Sequence, residues 1–311
     1  MKLLKNFFLT LKFKGVVTTL FAIKNFFFIK LFNIFSSSEY IKKKIFTYKM
    51  YLDPKDKGIS RTLLLFGKRE IDHKIILEKV LKKKMRIFDI GANIGYYVLM
   101  ESLILGEKGE IIALEPVPSN MKLLNMNLKL NKNNITKTMQ VGLSNTSESK
   151  DFLLSEHSNL GHITDNGNYE NKKKIKIKVI SLKELIKKKF CPDFIRMDIE
   201  GYEEKVLEDL TNLKLKQYPI ICFETHRTKY KNMRTILNKL FSKGYFVKYA
   251  SSSYEEGSLK VERLGYKPII QNISTDDVYR NIYINLKKED ALELICKIGG
   301  LRTIVLSPKN R

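Results

Sequence analysis

The chain has 311 residues, 43% hydrophobic and 29% charged, enough apolar material for a sizeable core, which excludes a disordered or collagen-like chain. At roughly 150 residues per domain the length fits two domains or one large one. The net charge of +24 comes from 57 basic residues against 33 acids, and 47 of the 57 are lysines and 10 arginines; base reading and bidentate phosphate clamping favour Arg, so the surplus reads as a solvated lysine-rich surface, with no DNA partner expected and RNA disfavoured.

Three scattered cysteines, Cys191, Cys222 and Cys296, do not make a disulfide framework or a structural zinc site and point to a reducing, cytoplasmic setting. Residues 1–50 form a basic, apolar extension read as helical, with ten lysines and one acid, Glu39. Lys2, Lys5, Lys12, Lys24 and Lys30 share a sector of about 120° on a helical wheel. No uncharged run there approaches the ~20 residues of a membrane-spanning helix. Two readings stand: helices packed on the following domain, or a peripheral membrane contact through residues 1–35. No small-x-small cleavage site follows, which argues against a signal peptide.

Over residues 51–288 helical and short apolar runs alternate, the signature of an α/β domain with a mainly parallel sheet and helices on both faces. The pattern predicts a helix over His73–Lys83, a strand at Arg86–Ile90, a helix over Tyr96–Leu105, a strand at Glu110–Leu114, a helix over Pro118–Leu130 and a strand at Lys137–Leu143. Residues 144–171 read as a hairpin or loop, followed by a strand at Ile175–Val179 and a helix to Lys188 opened by a capping box of Ser181 and Glu184. Further strands are expected at Asp193–Met197, Tyr218–Phe223, Tyr245–Tyr249 and Val278–Leu286, and helices over Tyr202–Leu210 and Met233–Lys243. Residues 251–277 read as loop, and 289–311 as a helix and tail.

The chemistry concentrates at three strand ends. Asp89-Ile-Gly91-Ala-Asn93-Ile-Gly95 is a glycine turn between a strand and a helix, where backbone can approach a ligand closely. Its spacing departs from the G-x-G-x-x-G of dinucleotide sites; an acid at the start of the turn suits a ligand with a cationic amino-acid end. Glu115, 26 residues on, ends the next strand, where a carboxylate can accept hydrogen bonds from ribose hydroxyls. Met197-Asp198-Ile-Glu200-Gly201-Tyr-Glu203 brings Asp198 and Glu200 to the same sheet edge, with Glu203 and Glu204 read as helix N-terminal charges.

These phrases, with Glu115-Pro116, Asn120 and the upstream Asp56-Lys-Gly58-Ile-Ser60, resemble the FkbM family of S-adenosylmethionine-dependent methyltransferases over residues 50–250. The resemblance implies a Rossmann-like class I methyltransferase fold and S-adenosylmethionine as cofactor, held by Asp89, Gly91, Asn93, Gly95, Glu115 and Asp198. It also implies methyl transfer to a hydroxyl of a sugar, glycan or small metabolite. Asp198 and His226 are the candidate general bases; Glu200, Glu224 and His162 are candidates for the acceptor site. A metal held by Asp198, Glu200 and Glu224 is conceivable chemically, but nothing in the spacing requires one and none is expected. RNA or protein methylation, and a non-catalytic membrane-associated cofactor-binding module, are the rival readings.

Overall fold

The computed structural model describes residues 2–155, 157–158, 161–164 and 173–309, and of residues 2–6 and 164 the backbone alone. Helix α1 (Lys2–Phe35) is kinked at Gly15, whose φ of 76° and ψ of 172° are not helical. The kink breaks the expected lysine sector, because the two halves no longer share one wheel; the side chains of Lys2 and Lys5 lie outside the described residues. Phe7–Phe35 is long and apolar enough to cross a bilayer, contrary to the reading from uncharged runs, because Lys24 and Lys30 are the only charges within its most apolar window. The helical extension ends at Phe35. Strands β1 (Ile41–Ile45) and β2 (Tyr48–Leu52) then form an antiparallel hairpin that buries Ile41, Ile45, Tyr48, Met50 and Leu52 on one face, with Lys43 half-buried between the isoleucines.

Helices α2 (Ile59–Phe66) and α3 (Ile71–Val80) lead into β3 (Arg86–Ile90), α4 (Tyr96–Leu105), β4 (Glu110–Leu114), α5 (Pro118–Leu130) and β5 (Thr136–Met139). Asn127 of α5 accepts the Tyr51 N–H at 2.7 Å and donates to the Ile94 carbonyl at 2.9 Å, tying the hairpin to the turn after β3. The strand expected over 137–143 divides: β5 closes the edge of the main sheet, while β6 (Gly142–Ser144) opens a second one. That sheet continues with β7 (Glu148–Leu153), β8 (His162–Thr164) and β9 (Lys174–Ser181), in the order β6-β9-β7-β8. Residues 165–172 of the expected loop lie outside the described residues. Ser181 caps α6 (Leu182–Lys188) by accepting the Glu184 N–H at 3.1 Å. Only half of the expected box forms, since Glu184 turns to Ser147 and Lys188 instead.

The chain completes the main sheet through β10 (Phe194–Met197), α7 (Glu203–Asn212), β11 (Ile220–Glu224), α8 (Met233–Ser242), β12 (Tyr245–Ser252), α9 (Glu255–Glu262), β13 (Ile270–Thr275), β14 (Val278–Leu286), α10 (Lys288–Cys296) and β15 (Leu301–Pro308). The order is β13-β14-β12-β15-β11-β10-β3-β4-β5, and seven of the nine strands run one way, with β14 and β15 opposed. Two segments correct the sequence reading. Residues 251–277 hold α9 and β13, and the expected tail is β15, inserted between β11 and β12 in the middle of the sheet. Its Ile304-Val305-Leu306 is buried on both faces, and a strand covered on both sides shows no polar alternation to read.

Side chains of the central strands alternate between two apolar layers. Ile87, Ile111, Phe194 and Ile220 join the layer of α2–α5, and Phe88, Ile112, Ile195 and Ile221 that of α6–α8 and α10. The same period sends Asp89 and Arg196 into the first layer, side by side in register.

Candidate active site

Strands β4, β3, β10 and β11 are parallel neighbours, so their carboxyl ends bring Glu115, the glycine turn, Asp198 and Glu224–His226 to one rim. Gly91 has a φ of +80°, and a Cβ there would lie 2.3 Å from the carbonyl oxygen of Asp198; the turn therefore lies flat against the loop after β10. Gly95 serves packing instead: its Cβ would meet Leu124 at 2.7 Å, where α4 crosses α5. Asn93, also left-handed at φ 49°, donates its N–H to Glu115 Oε2 at 2.9 Å. Glu115 Oε1 accepts from the Val117 N–H at 3.0 Å and Asn120 Nδ2 at 3.3 Å. Burial nevertheless pushes the Glu115 carboxyl up to about 7.

A narrow cavity opens here, with Gly91, Asn93, Glu115, Asp198 and Glu200 on its polar side and Val141, Leu143, Ile163 and Ile199 on its apolar side. It shares Val117, Asn120, Phe152 and Ser158 with an adjoining cleft of about 790 Å³ that His162 lines. Ser158 ties the connection after β7 across the rim: its carbonyl accepts from Asn93 Nδ2 at 3.1 Å, and its N–H and hydroxyl donate to Asp56 at 3.1 and 2.9 Å.

Two expected cofactor residues lie elsewhere. Gly95 does not line the cavity, and Asp89 points away from it, fully buried and 2.9 Å from Arg196 Nη1. The Arg196 guanidinium sits 3.9 Å from the Tyr97 ring centre. Asp89 Oδ2, Arg196 Nε and both oxygens of the neighbouring Glu101 find no hydrogen-bond partner among the described residues. Burial, and then the Asp89 charge, raise the Glu101 carboxyl well above its ordinary range. The acid of the glycine turn is thus a structural charge within the helical layer.

On the other side of Gly91 lies a second cluster. His226 Nδ1 is 3.1 Å from Glu203 Oε1, and Nε2 faces Glu200, Glu224 and Asp198 at 3.6, 3.9 and 4.0 Å. Glu203 also accepts the N–H groups of Ile199 and Gly201, both at 2.9 Å, so it braces the loop carrying Glu200, itself left-handed at φ 55°. Glu204 accepts from Lys231 and Asn232 at 2.8 and 3.0 Å. Both acids do more than the dipole role expected of them. Arg302 bridges Glu70 and Glu224 at 2.8 Å each. Of these added residues, Arg196 was signalled by a charge inside a buried strand, Glu203 by its place in the motif and Glu70 by the upstream phrase Gly67-Lys-Arg-Glu70, similar to the same family; Arg302 carried no signal.

Burial pulls the imidazole of His226 towards neutrality, but its contacts with Glu200 and Glu203 outweigh this and raise it to about 11. Against burial, His226 and Lys229 hold Glu200 down at about 2. Burial and then the neighbouring Asp198 push Glu224 up to about 8 despite Arg302. Because the folded value for His226 lies above the ordinary 6.5, its contacts stabilise the fold fully below pH 6.5, and that contribution is lost as pH rises towards 11. The His226 ring is therefore expected in NMR to stay protonated from about pH 6 to 9, any shift near pH 8 reporting Glu224 beside it; an imidazole deprotonation centred near 6.5 would contradict the contact with Glu203. Asp198, Glu224 and His226 each offer a ligand atom within 4.8 Å of one another, enough to gather a divalent cation. Cationic side chains already fill that electrostatic role: Arg302 on Glu224, Lys229 on Glu200, and Arg196 3.7 Å from Asp198.

Residues 89–247 match the family described as Methyltransferase FkbM domain. Among curated proteins none matches the chain in sequence. Similar solved structures include an FkbM methyltransferase from Methylobacillus flagellatus KT, at 15% identity over 72% of this chain and 54% of that one, with a TM-score of 0.39. A precorrin-6y C5,15-methyltransferase from Geobacter metallireducens GS-15 aligns at 12% identity over 76% and 87%, with a TM-score of 0.40. M. jannaschii TYW2 in complex with AdoMet aligns at 13% over 81% and 89%, with a TM-score of 0.41.

Proposed function

The chain belongs to the FkbM family of methyltransferases, which use S-adenosylmethionine, and from that premise we propose that it methylates a hydroxyl oxygen of a sugar, glycan or small metabolite. The cavity's donor set fits the cofactor. Glu115 has lone pairs beyond the three N–H donors it already accepts and is the residue to hold ribose hydroxyls. Asp198, on the same rim, is the carboxylate for the acceptor. Val141, Leu143 and Ile199 supply apolar walls for a flat base. When bound, S-adenosylmethionine supplies a methyl group on a positively charged sulfur, already activated for transfer.

The chain's own task is to align an acceptor and remove a proton. Asp198 carries this reading. It lines the cavity, burial raises its carboxyl above the ordinary range, and it stands 4.0 Å from His226 Nε2. A hydroxyl hydrogen-bonded to Asp198 can lose its proton to that carboxylate, while His226, already protonated, keeps Asp198 and Glu200 in place. His226 is then a positioning residue rather than the base.

The adjoining cleft carries Glu39, Asp53 and Asp56 beside Lys55 and Lys173, a lining that favours a neutral, hydroxyl-rich acceptor over an RNA backbone. The test is incubation of the protein with methyl-labelled S-adenosylmethionine and fractionated cell extract. Alkali-stable label in glycan or small-metabolite fractions is the expected result. Label confined to RNA or protein would refute the proposal.

A further inference from the structure

The second half of α1, from Val16 to Phe35, has two unlike sides. Its inner side is fastened to the domain: Asn25 Nδ2 donates to the Leu65 carbonyl at 2.8 Å, Arg61 lies over the Phe26 ring, and Ile29 and Phe32 pack against the core. At the kink, Lys14 pairs with Asp277 at 2.8 Å. Its outer side is apolar and open. Val17, Leu20, Phe21, Phe27, Phe28 and Leu31 are each more than half exposed, and at about 100° per residue they fall on one half of the helix circumference. Over twenty residues this makes an apolar strip about 30 Å long, interrupted on its midline only by the exposed Lys24 and larger than a soluble surface ordinarily leaves open.

We propose that this strip lies in the plane of an anionic lipid bilayer and holds the domain on its surface. Charge complementarity selects this occupant. Residues 1–35 contain no acid, and on the Val16–Phe35 half Lys24 and Lys30 are both exposed, which suits anionic headgroups and gives no ionic complement to a second copy of the same strip. Lys24 and Lys30 lie over Phe21 and Phe26, 5.9 and 5.0 Å from the ring centres. There the apolar stems can stay with the rings while the ammonium groups reach the headgroups. A spanning orientation would tear the inner-side contacts from the domain, whereas an in-plane one keeps them all.

The test uses the full chain and vesicles of phosphatidylcholine mixed with phosphatidylglycerol. The wild-type protein should sediment with these vesicles, and less with pure phosphatidylcholine. A triple variant, Leu20→Glu, Phe27→Glu and Leu31→Glu, should lose at least roughly tenfold in partitioning. Its circular dichroism and S-adenosylmethionine binding should be unchanged, because these side chains face away from the domain. Vesicle binding that survives the triple substitution would overturn the proposal. So would a wild-type dimer that the substitution splits while neither protein sediments with vesicles, since the strip would then belong to a second copy. Protection of part of α1 from protease on the far side of the vesicle would show a spanning helix and overturn it equally.

Discussion

Replacing Arg196 by leucine is expected to lower folding stability by about 3–5 kcal/mol, measured by urea unfolding. Arg196 is 2% exposed in the middle of β10, directly opposite Asp89 on β3, and it supplies the guanidinium 2.9 Å from that carboxylate. Asp89 Oδ2 already has no hydrogen-bond partner among the described residues. Removing the guanidinium strands a carboxylate in an apolar layer, where it must stay unpaired or take up a proton. The variant with both Arg196→Leu and Asp89→Leu separates this cause from lost packing. Removing both charges should recover much of the loss, whereas a double variant as unstable as the single one would place the effect in packing. A loss below about 1 kcal/mol in the single variant would mean that the pair is not buried as described.

Asp198→Asn is expected to lower kcat by about 10²–10⁴-fold once an acceptor is in hand, with cofactor affinity changed little. Asparagine keeps the shape and leaves the neighbouring carbonyl against Gly91 undisturbed, but its amide cannot take a proton. His226→Asn should act differently, because it removes a group that orients Asp198 and Glu200. Its kcat should fall less, and its pH profile should shift as the carboxylates lose their cationic neighbour. Full turnover in Asp198→Asn would move proton removal to another group.

Much of the parallel half of the sheet could be read from the sequence. Arg86–Ile90, Tyr96–Leu105, Glu110–Leu114 and Pro118–Leu130 have the same bounds in the structure as in the sequence pattern. Each strand there is a short apolar run closed by a glycine turn or a Glu-Pro, signals that act locally. The direction of Asp89 was also present in the period of two: residues 87 and 89 must share a face, and Ile87 is core. What the sequence does not contain is register. That Arg196 stands opposite Asp89, and that His226 meets Glu203 and Glu200 from 23 and 26 residues away, follows only from how strands are laid side by side. The hairpin after α1 was obscured by Lys42-Lys-Lys44 between its isoleucines. The central strand β15 was obscured because burial on both faces removes the alternation that marks a half-exposed strand.

Calorimetric titration with S-adenosylmethionine tests most directly whether Glu115, at the end of β4, is the carboxylate of the proposed cofactor pocket. Wild-type protein should bind it, and Glu115→Gln, which preserves shape but removes the charge, should bind roughly 10- to 100-fold more weakly. No binding heat in the wild-type protein, or undiminished affinity in Glu115→Gln, would contradict that role for Glu115.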